Sequence, residues 1–226
     1  MEIAVLGTGT VGRTVAAKLS DLGHDVVVGT REPEATLGRT EPDAMGNPPF
    51  PVWQADHPDI RLATFAEAAA DAELLVNATG GAGSLDALGQ AGEANLAGKV
   101  LLDISNPLDF SRGFPPSLFV KDTDSLAEQI QRAFPDARVV KSLNTMTAAV
   151  MVDPRRVGGG DHSTFVSGND ADAKQTVVDL LSSMGHTDVI DLGDLSTARA
   201  AEMLLPVWLR LMGALGTPYL QFKIVR

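Results

Sequence analysis

Gly7-Thr8-Gly9-Thr10-Val11-Gly12 stands between a β-rich run, Glu2 to Leu6, and a segment, Arg13 to Leu22, in which apolar residues recur at positions 11, 15, 19 and 22. The hydrophobic period therefore changes from that of a strand to that of a helix across the glycines. Gly23 stops the helix and His24-Asp25-Val26-Val27-Val28 supplies a second strand, so the opening reads strand, turn, helix, strand. In a βαβ unit of this kind Gly7 permits the tight turn, Gly9 lets a diphosphate approach the backbone, and Gly12 lets the helix pack closely on the sheet. The unpaired amides and positive end of that helix then meet phosphate charge.

Outward from this unit the alternation continues. Arg61 to Thr64 reads as strand three, Phe65 to Asp71 as a short helix, Leu74 to Ala78 as strand four, Ser84 to Leu96 as a helix, and Val100 to Ile104 as strand five. Ser125-Leu126-Ala127-Glu128 has capping-box spacing and opens a helix to about Phe134; Arg138 to Lys141 is strand six. The predicted fold is α/β, a Rossmann doubly wound parallel sheet with a small α/β carboxyl-terminal region. The expected division is a dinucleotide-binding Rossmann domain over residues 1–143 and a substrate and dimerisation domain over 144–226. In the latter, Ser163 to Ser167 and Thr187 to Leu192 read as strands, with Asp170 capping a helix through Met184. The last helix should run from about Ser196 to Met212 with positions 200, 203, 204, 207, 208 and 211 on its apolar face, and Pro206 as a kink or break. One stretch interrupts the pattern: Glu32 to Asp59 carries five prolines before Asp56, at 33, 42, 48, 49 and 51, and a connection of that length belongs at the rim of the ligand crevice.

Composition narrows the function. The chain of 226 residues has no cysteine, which removes disulfides, thiolate nucleophiles and thiolate metal sites together. A formal net charge of -11 without a basic patch, and only 11 aromatics, exclude nucleic acid as a partner. Met203 to Phe222 is apolar but is cut by Arg210 and carries Pro206 and Pro218, so it is read as buried protein and no membrane is expected. Met1-Glu2-Ile3-Ala4-Val5 has no basic n-region, which predicts a cytoplasmic protein. His24, His57, His162 and His186 show no metal-ligand spacing, and Ser105 and Ser142 lack the Gly-x-Ser-x-Gly elbow. His24 and His186 each follow a glycine at a helix end, where a histidine interacts with the terminal carbonyls.

The end of strand two selects the dinucleotide. An NAD site places an acid there for the ribose hydroxyls, whereas this chain reads Val28-Gly29-Thr30-Arg31. Thr30 offers a hydrogen bond and Arg31 a charge-assisted pair for a 2′-phosphate, which points to NADP(H). Three further segments arrive at carboxyl ends of strands: Asn77-Ala78-Thr79-Gly80-Gly81-Ala82-Gly83, Asp103-Ile104-Ser105-Asn106-Pro107 and Lys141-Ser142-Leu143-Asn144. Ala78, Thr79, Asn106 and Asn144 either contact the ligand or fix their loops through Asx-type hydrogen bonds. No strong proton shuttle is present, and hydride transfer between two planar rings needs none, since proximity and orientation supply much of the advantage.

Together, Gly7 to Gly12, Val26 to Arg31 and Lys141-Ser142-Leu143-Asn144-Thr145 resemble the NADP-dependent coenzyme F-420 oxidoreductase family, with further likeness at Ala201 to Pro206 and Gly213 to Gly216. The resemblance implies NADP held by Thr8, Thr10, Val11, Thr30 and Arg31, with a second planar substrate, in characterised members the deazaflavin F-420, facing the nicotinamide across the domain crevice. The expected arrangement sets the nicotinamide above Thr79 and Asn106, with a deazaflavin or flavin stacked on its open face. Arg112, Arg155 and Arg156 are the basic residues available for an anionic tail. The path after strand two is longer than is usual in that family. Two alternatives stay open. One is an NADPH-dependent reductase of a small carbonyl or quinone, with Lys141 as proton donor. The other is a non-catalytic NADPH-sensing regulator. The apolar segments Val207 to Met212 and Pro218 to Phe222 suggest a homodimer.

Overall fold

The computed structural model describes residues 1–43 and 46–226; Ala44 and Met45, inside the proline-rich excursion, lie outside the described residues. The strands are β1 (Glu2–Leu6), β2 (Asp25–Thr30), β3 (Arg61–Thr64), β4 (Leu74–Asn77), β5 (Val100–Asp103), β6 (Leu108–Asp109), β7 (Ser117–Leu118), β8 (Arg138–Ser142), β9 (Ser163–Gly168) and β10 (Asp188–Asp191). The helices are α1 (Thr10–Asp21), α2 (Pro33–Leu37), α3 (Phe50–Ala55), α4 (Phe65–Ala70), α5 (Ser84–Ala91), α6 (Glu93–Leu96), α7 (Leu126–Ala133), α8 (Ala148–Val152), α9 (Ala171–Met184) and α10 (Ala198–Leu215). Where one helix was expected from Ser84 to Leu96, Gly92 at φ +94° divides it into α5 and α6.

Eight strands form one sheet in the order β10-β9-β8-β5-β4-β1-β2-β3, and β6 pairs with β7 in a separate small hairpin. The six strands read from the sequence pair in parallel with the doubly wound order. The strands of residues 144–226 extend this same sheet: β9 pairs β8 antiparallel and β10 runs alongside β9 in parallel. Strand residues alternate between two apolar layers, as the two-residue period requires. Ile3 and Val5 pack with Val15, Leu19, Val177 and Leu181 of α1 and α9, while Ala4 and Leu6 face Phe65, Leu88, Leu126 and Ile130 of α4, α5 and α7.

The excursion after β2 is partly helical. Phe50 of α3 enters the core beside α1, and two contacts tether the preceding loop to the first turns of that helix. Asn47 Nδ2 donates to Thr10 Oγ1 at 2.9 Å, and the largely buried Arg13 donates from Nη1 to the Pro48 carbonyl at 2.6 Å. The loop thereby flanks the glycine turn, enclosing a cavity of about 500 Å³ together with Thr8 and Gly9.

The final helix departs from the expected face. Its buried residues are Ala198, Ala201, Glu202, Leu205, Trp208 and Leu209, whereas Ala200, Met203, Val207 and Leu211 are exposed; of the expected face only Trp208 is buried. The cause is Glu202, a carboxylate drawn inward by a cation and two amides described below, which turns the helix about its axis. The helix continues through Pro206, and the tail folds back so that Leu220 packs on Leu205, Trp208 and Leu209.

Candidate active site

The three glycines of the turn stand in different surroundings. Gly7 has φ +122°, and a Cβ there would lie 2.7 Å from the Ala78 carbonyl oxygen at the end of β4. A Cβ on Gly12 would lie 2.0 Å from the Gly7 carbonyl oxygen, so α1 sits on the turn at backbone distance. Gly9 faces open space. It is also the N-cap of α1, with no capping side-chain hydrogen bond and no acid in the first turn. The first-turn amides are thus left to an external acceptor, in the position where dipole and unpaired N–H groups favour an anion.

A cavity of about 650 Å³ opens over this turn, lined by Gly7, Thr8, Gly9, Val11, Arg31, Ala78, Thr79 and Asn106 among others. Eight of the expected site residues therefore meet in one place. Its small-residue wall, Gly80 to Gly83, contains a 3-10 turn in which a Cβ on Gly81 would lie 1.9 Å from the Asn106 carbonyl oxygen. Phe110, exposed on the β6–β7 hairpin, adds an aromatic face near Asn106. Arg31 lies at the other end, at the close of β2, with Phe65 and Ala87 nearby in the lining.

Other expected residues stand behind the lining. Thr10 accepts the Asn47 bond noted above, and Gly12 supports the turn from below. Thr30 is buried, with its hydroxyl 3.0 Å from that of the equally buried Thr36, so its side chain belongs to the fold of the excursion rather than to the open cavity. Asn144 is buried beneath Asn106: the Asn106 amide donates to the Asn144 carbonyl at 2.9 Å, and the Asn144 amide donates to Asn106 Oδ1 and to the Ala201 carbonyl, each at 3.0 Å. Leu143, just before it, holds φ +61°, a conformation sparsely populated by branched residues, and the buried hydrogen-bond network on either side fixes it.

Lys141 does not reach the cavity. Its side chain has no exposed surface, and Nζ is 2.8 Å from Asp103 Oδ2, 2.9 Å from Glu202 Oε1 and 2.5 Å from the Ser105 carbonyl. Three N–H bonds have three partners, so the ammonium has no donor to spare. Burial lowers the pKa of such a lysine, but the attraction of Asp103 and then Glu202 outweighs it and keeps the group charged above its ordinary range. Nothing in this geometry presents Lys141 to the cavity as a proton donor; its bonds to Asp103, Glu202 and the Ser105 carbonyl lie behind the wall.

The network around it is extensive. Asp103 Oδ1 accepts from Asn77 Nδ2 at 2.8 Å and from Ser105 Oγ at 2.7 Å. Asn77 Oδ1 accepts from the Thr79 hydroxyl at 2.6 Å, and the same Thr79 oxygen lies 2.9 Å from Ser84 Oγ, so its proton is held within the wall. Glu202 accepts from the Leu126 and Ala127 amides at 2.8 and 3.1 Å, closing the N-terminus of α7. Glu202 was missed from the sequence; its signal was a carboxylate set alone in an apolar helix. The candidate tail contacts Arg155 and Arg156 pair instead with Asp153 at 3.5 and 3.4 Å, away from the lining, and Arg112 lies on the exposed hairpin. His186 is buried, bonded to Thr164 and to the Met151 carbonyl rather than presented to its own helix end. Among the described residues no group of His, Cys, Asp and Glu is arranged to hold a metal ion, and no helix is long and apolar enough to cross a membrane.

The chain is similar to known proteins. Residues 2–107 match the family model described as NADP oxidoreductase coenzyme F420-dependent. A crystal structure from Arthrobacter sp. FB24, of a protein provisionally designated an F420-dependent NADP reductase, is 65% identical over 100% of both chains with a TM-score of 0.96. The F420-dependent NADP reductase of Methanothermobacter marburgensis is 29% identical over 93% of this chain and 92% of its own. The metalloreductase STEAP3 of Rattus norvegicus is 30% identical over 92% of this chain, which spans only 38% of that longer protein.

Proposed function

The chain belongs to the F420-dependent NADP reductase family, and from that premise we propose that it transfers a hydride between NADP(H) and a deazaflavin, coenzyme F420, or a related flavin-like ring. The observation that carries this reading is the single cavity in which an uncapped helix N-terminus lies between a cation, Arg31, and a wall of small and polar residues at Thr79 and Asn106. The residues fit the nucleotide. The amides following Gly9 suit a diphosphate, Arg31 suits a 2′-phosphate through charge-assisted bonds, and Ala78 with Gly80 to Gly83 leaves room for ribose and ring. Bound NADPH supplies a hydride from its nicotinamide.

The chain contributes position rather than protons. The Thr79 hydroxyl is fixed by Asn77, and Asn106 is held by reciprocal bonds to Asn144. Lys141, through Ser105 and Asp103, keeps this wall from moving, the supporting role that precise sites require. Small-residue walls admit two flat rings face to face, and holding them so accounts for the rate. Reduction of a carbonyl needs a proton at the developing oxyanion, and burial of Lys141 weighs against that alternative.

On this reading residues 1–143 bind the nucleotide and 144–226 serve the second substrate and dimerisation. The exposed stripe Met203, Val207, Leu211 and Leu215 on α10 supports a homodimer. Anaerobic assays of NADPH oxidation with coenzyme F420, FMN and a soluble quinone, run separately, test the function. Turnover with the deazaflavin or the flavin is expected. Tight NADPH binding with no turnover on any acceptor would instead establish a sensor, and a stable monomer in light scattering at high concentration would reject the dimer.

A further inference from the structure

Resting on the NADP reading above, we propose that Asp86 tunes nucleotide selectivity: it holds Arg31 beside the cavity and yields it only to a nucleotide that carries a 2′-phosphate, which lowers the affinity for NADP(H) and leaves that for NAD(H) untouched. Arg31 Nη2 lies 3.2 Å from Asp86 Oδ2, a bridge from the end of β2 to the first turn of α5. Both elements border the cavity, which Arg31, Gly83 and Ala87 line. Gln90, one turn further along α5, donates from Nε2 to the same carboxylate oxygen at 2.9 Å. The first turn of a helix also favours an anion. The carboxylate is therefore anchored on its own helix by Gln90, and Arg31 is the partner free to leave.

Both side chains of the bridge are largely exposed, at 64% and 62%, and an ion pair in that setting is weak. A phosphate of nearly double charge, offering several acceptor oxygens to the guanidinium fork, displaces such a carboxylate. A ribose hydroxyl, uncharged and singly bonded, does not. Asp86 thus acts as a stand-in anion that NADP(H) must expel, while NAD(H) binds with the bridge intact and gains nothing from Arg31.

The test is a double-mutant cycle on the full chain, with dissociation constants for NADPH, NADH, adenosine 2′,5′-bisphosphate and adenosine 5′-diphosphate read by titration calorimetry. None of these needs a redox partner. Asp86→Asn keeps the oxygen that Gln90 requires and removes the charge. It is expected to tighten NADPH and the 2′,5′-bisphosphate by about twofold to fivefold, the range that an exposed ion pair supplies. NADH and 5′-diphosphate should stay within experimental error, and in an Arg31→Ala background Asp86→Asn should give no tightening. Equal effects on ligands with and without the 2′-phosphate, no effect on either, or tightening that survives loss of Arg31 would overturn the proposal. If the wild type prefers NADPH, and Arg31→Ala removes the preference, the NADP reading stands even when the Asp86 effect fails. If the wild type shows no preference, both fall.

Discussion

Replacing Lys141 by methionine removes a buried cation while leaving its shape roughly filled, and with it the charge that offsets Asp103 and Glu202. Both carboxylates are buried, Asp103 completely and Glu202 at 1% exposure, so neither finds water to replace the ammonium. Removing one partner of a buried charge cluster costs about 3–5 kcal/mol. Here the lower end applies, because Asp103 keeps bonds from Asn77 and Ser105, and Glu202 keeps the Leu126 and Ala127 amides. In a domain of this size about 3 kcal/mol corresponds to a fall in Tm of about 6–12 °C. Glu202→Gln should be milder, since Lys141 and Asp103 remain as a neutral pair and the amide oxygen still accepts from α7; about 1–2 kcal/mol is expected. Thermal unfolding followed by circular dichroism at pH 7 gives both numbers. Where Lys141→Met is folded, NADPH affinity should change less than about threefold, because the side chain is absent from the cavity lining. A Lys141→Met protein that melts within 2 °C of wild type yet has lost turnover would refute the supporting role and restore the proton donor.

The glycine turn separates stability from binding. Gly9→Ala places its Cβ in open space and should leave Tm within about 2 °C while weakening NADPH at least about tenfold, since the methyl occupies the diphosphate position. Gly12→Ala, with its Cβ 2.0 Å from the Gly7 oxygen, should instead destabilise the fold, and unfolding curves of the two variants distinguish them. Arg31→Ala should raise the NADPH dissociation constant by about tenfold to a hundredfold, the worth of a charge-assisted bond, and leave NADH nearly unchanged in the same titration. Acid should act on the fold through His186, whose pKa is lowered by burial, with the neighbouring His162 adding to the shift. The unfolded chain takes up a proton near pH 6.5 and the native imidazole does not, so stability is complete above that pH and declines as the pH falls from 6.5 toward the depressed native value. Urea unfolding at pH 7.5 and 5.5 should show the decline, and His186→Gln should flatten it.

The opening βαβ unit was legible because its signals are local. Three glycines, a change of hydrophobic period and an arginine where an acid is otherwise needed all lie within the first βαβ unit and its edge. The six strands and their doubly wound sheet followed from alternation. That β9 reverses direction was not legible, because it depends on where the connection through α8 packs, and α8 rests on α1, far away in sequence. The surroundings of Lys141 were hidden for a similar reason. Its partners lie 38 residues before it, at Asp103, and on α10, at Glu202, and a lysine at a strand end looks the same in sequence whether it faces solvent or a buried carboxylate. The same carboxylate shifted the buried face of α10: apolar counting placed Met203 and Val207 inside, whereas a satisfied buried charge outweighs an apolar position. Asp86 gave no sign, as an acid in a first helical turn is ordinary. Thr30, correctly placed at the end of β2, turned inward because Thr36 of α2 offered it a buried partner.

Direct transfer between two rings is the central claim, and isotope transfer tests it most closely. NADPH carrying deuterium at both C4 positions, incubated anaerobically with the protein and oxidised coenzyme F420 in ordinary water, should yield reduced deazaflavin with one deuterium on the accepting carbon, detected by mass spectrometry. Reduced deazaflavin bearing only solvent hydrogen, or no reduction while NADPH binds in the cavity, would contradict it.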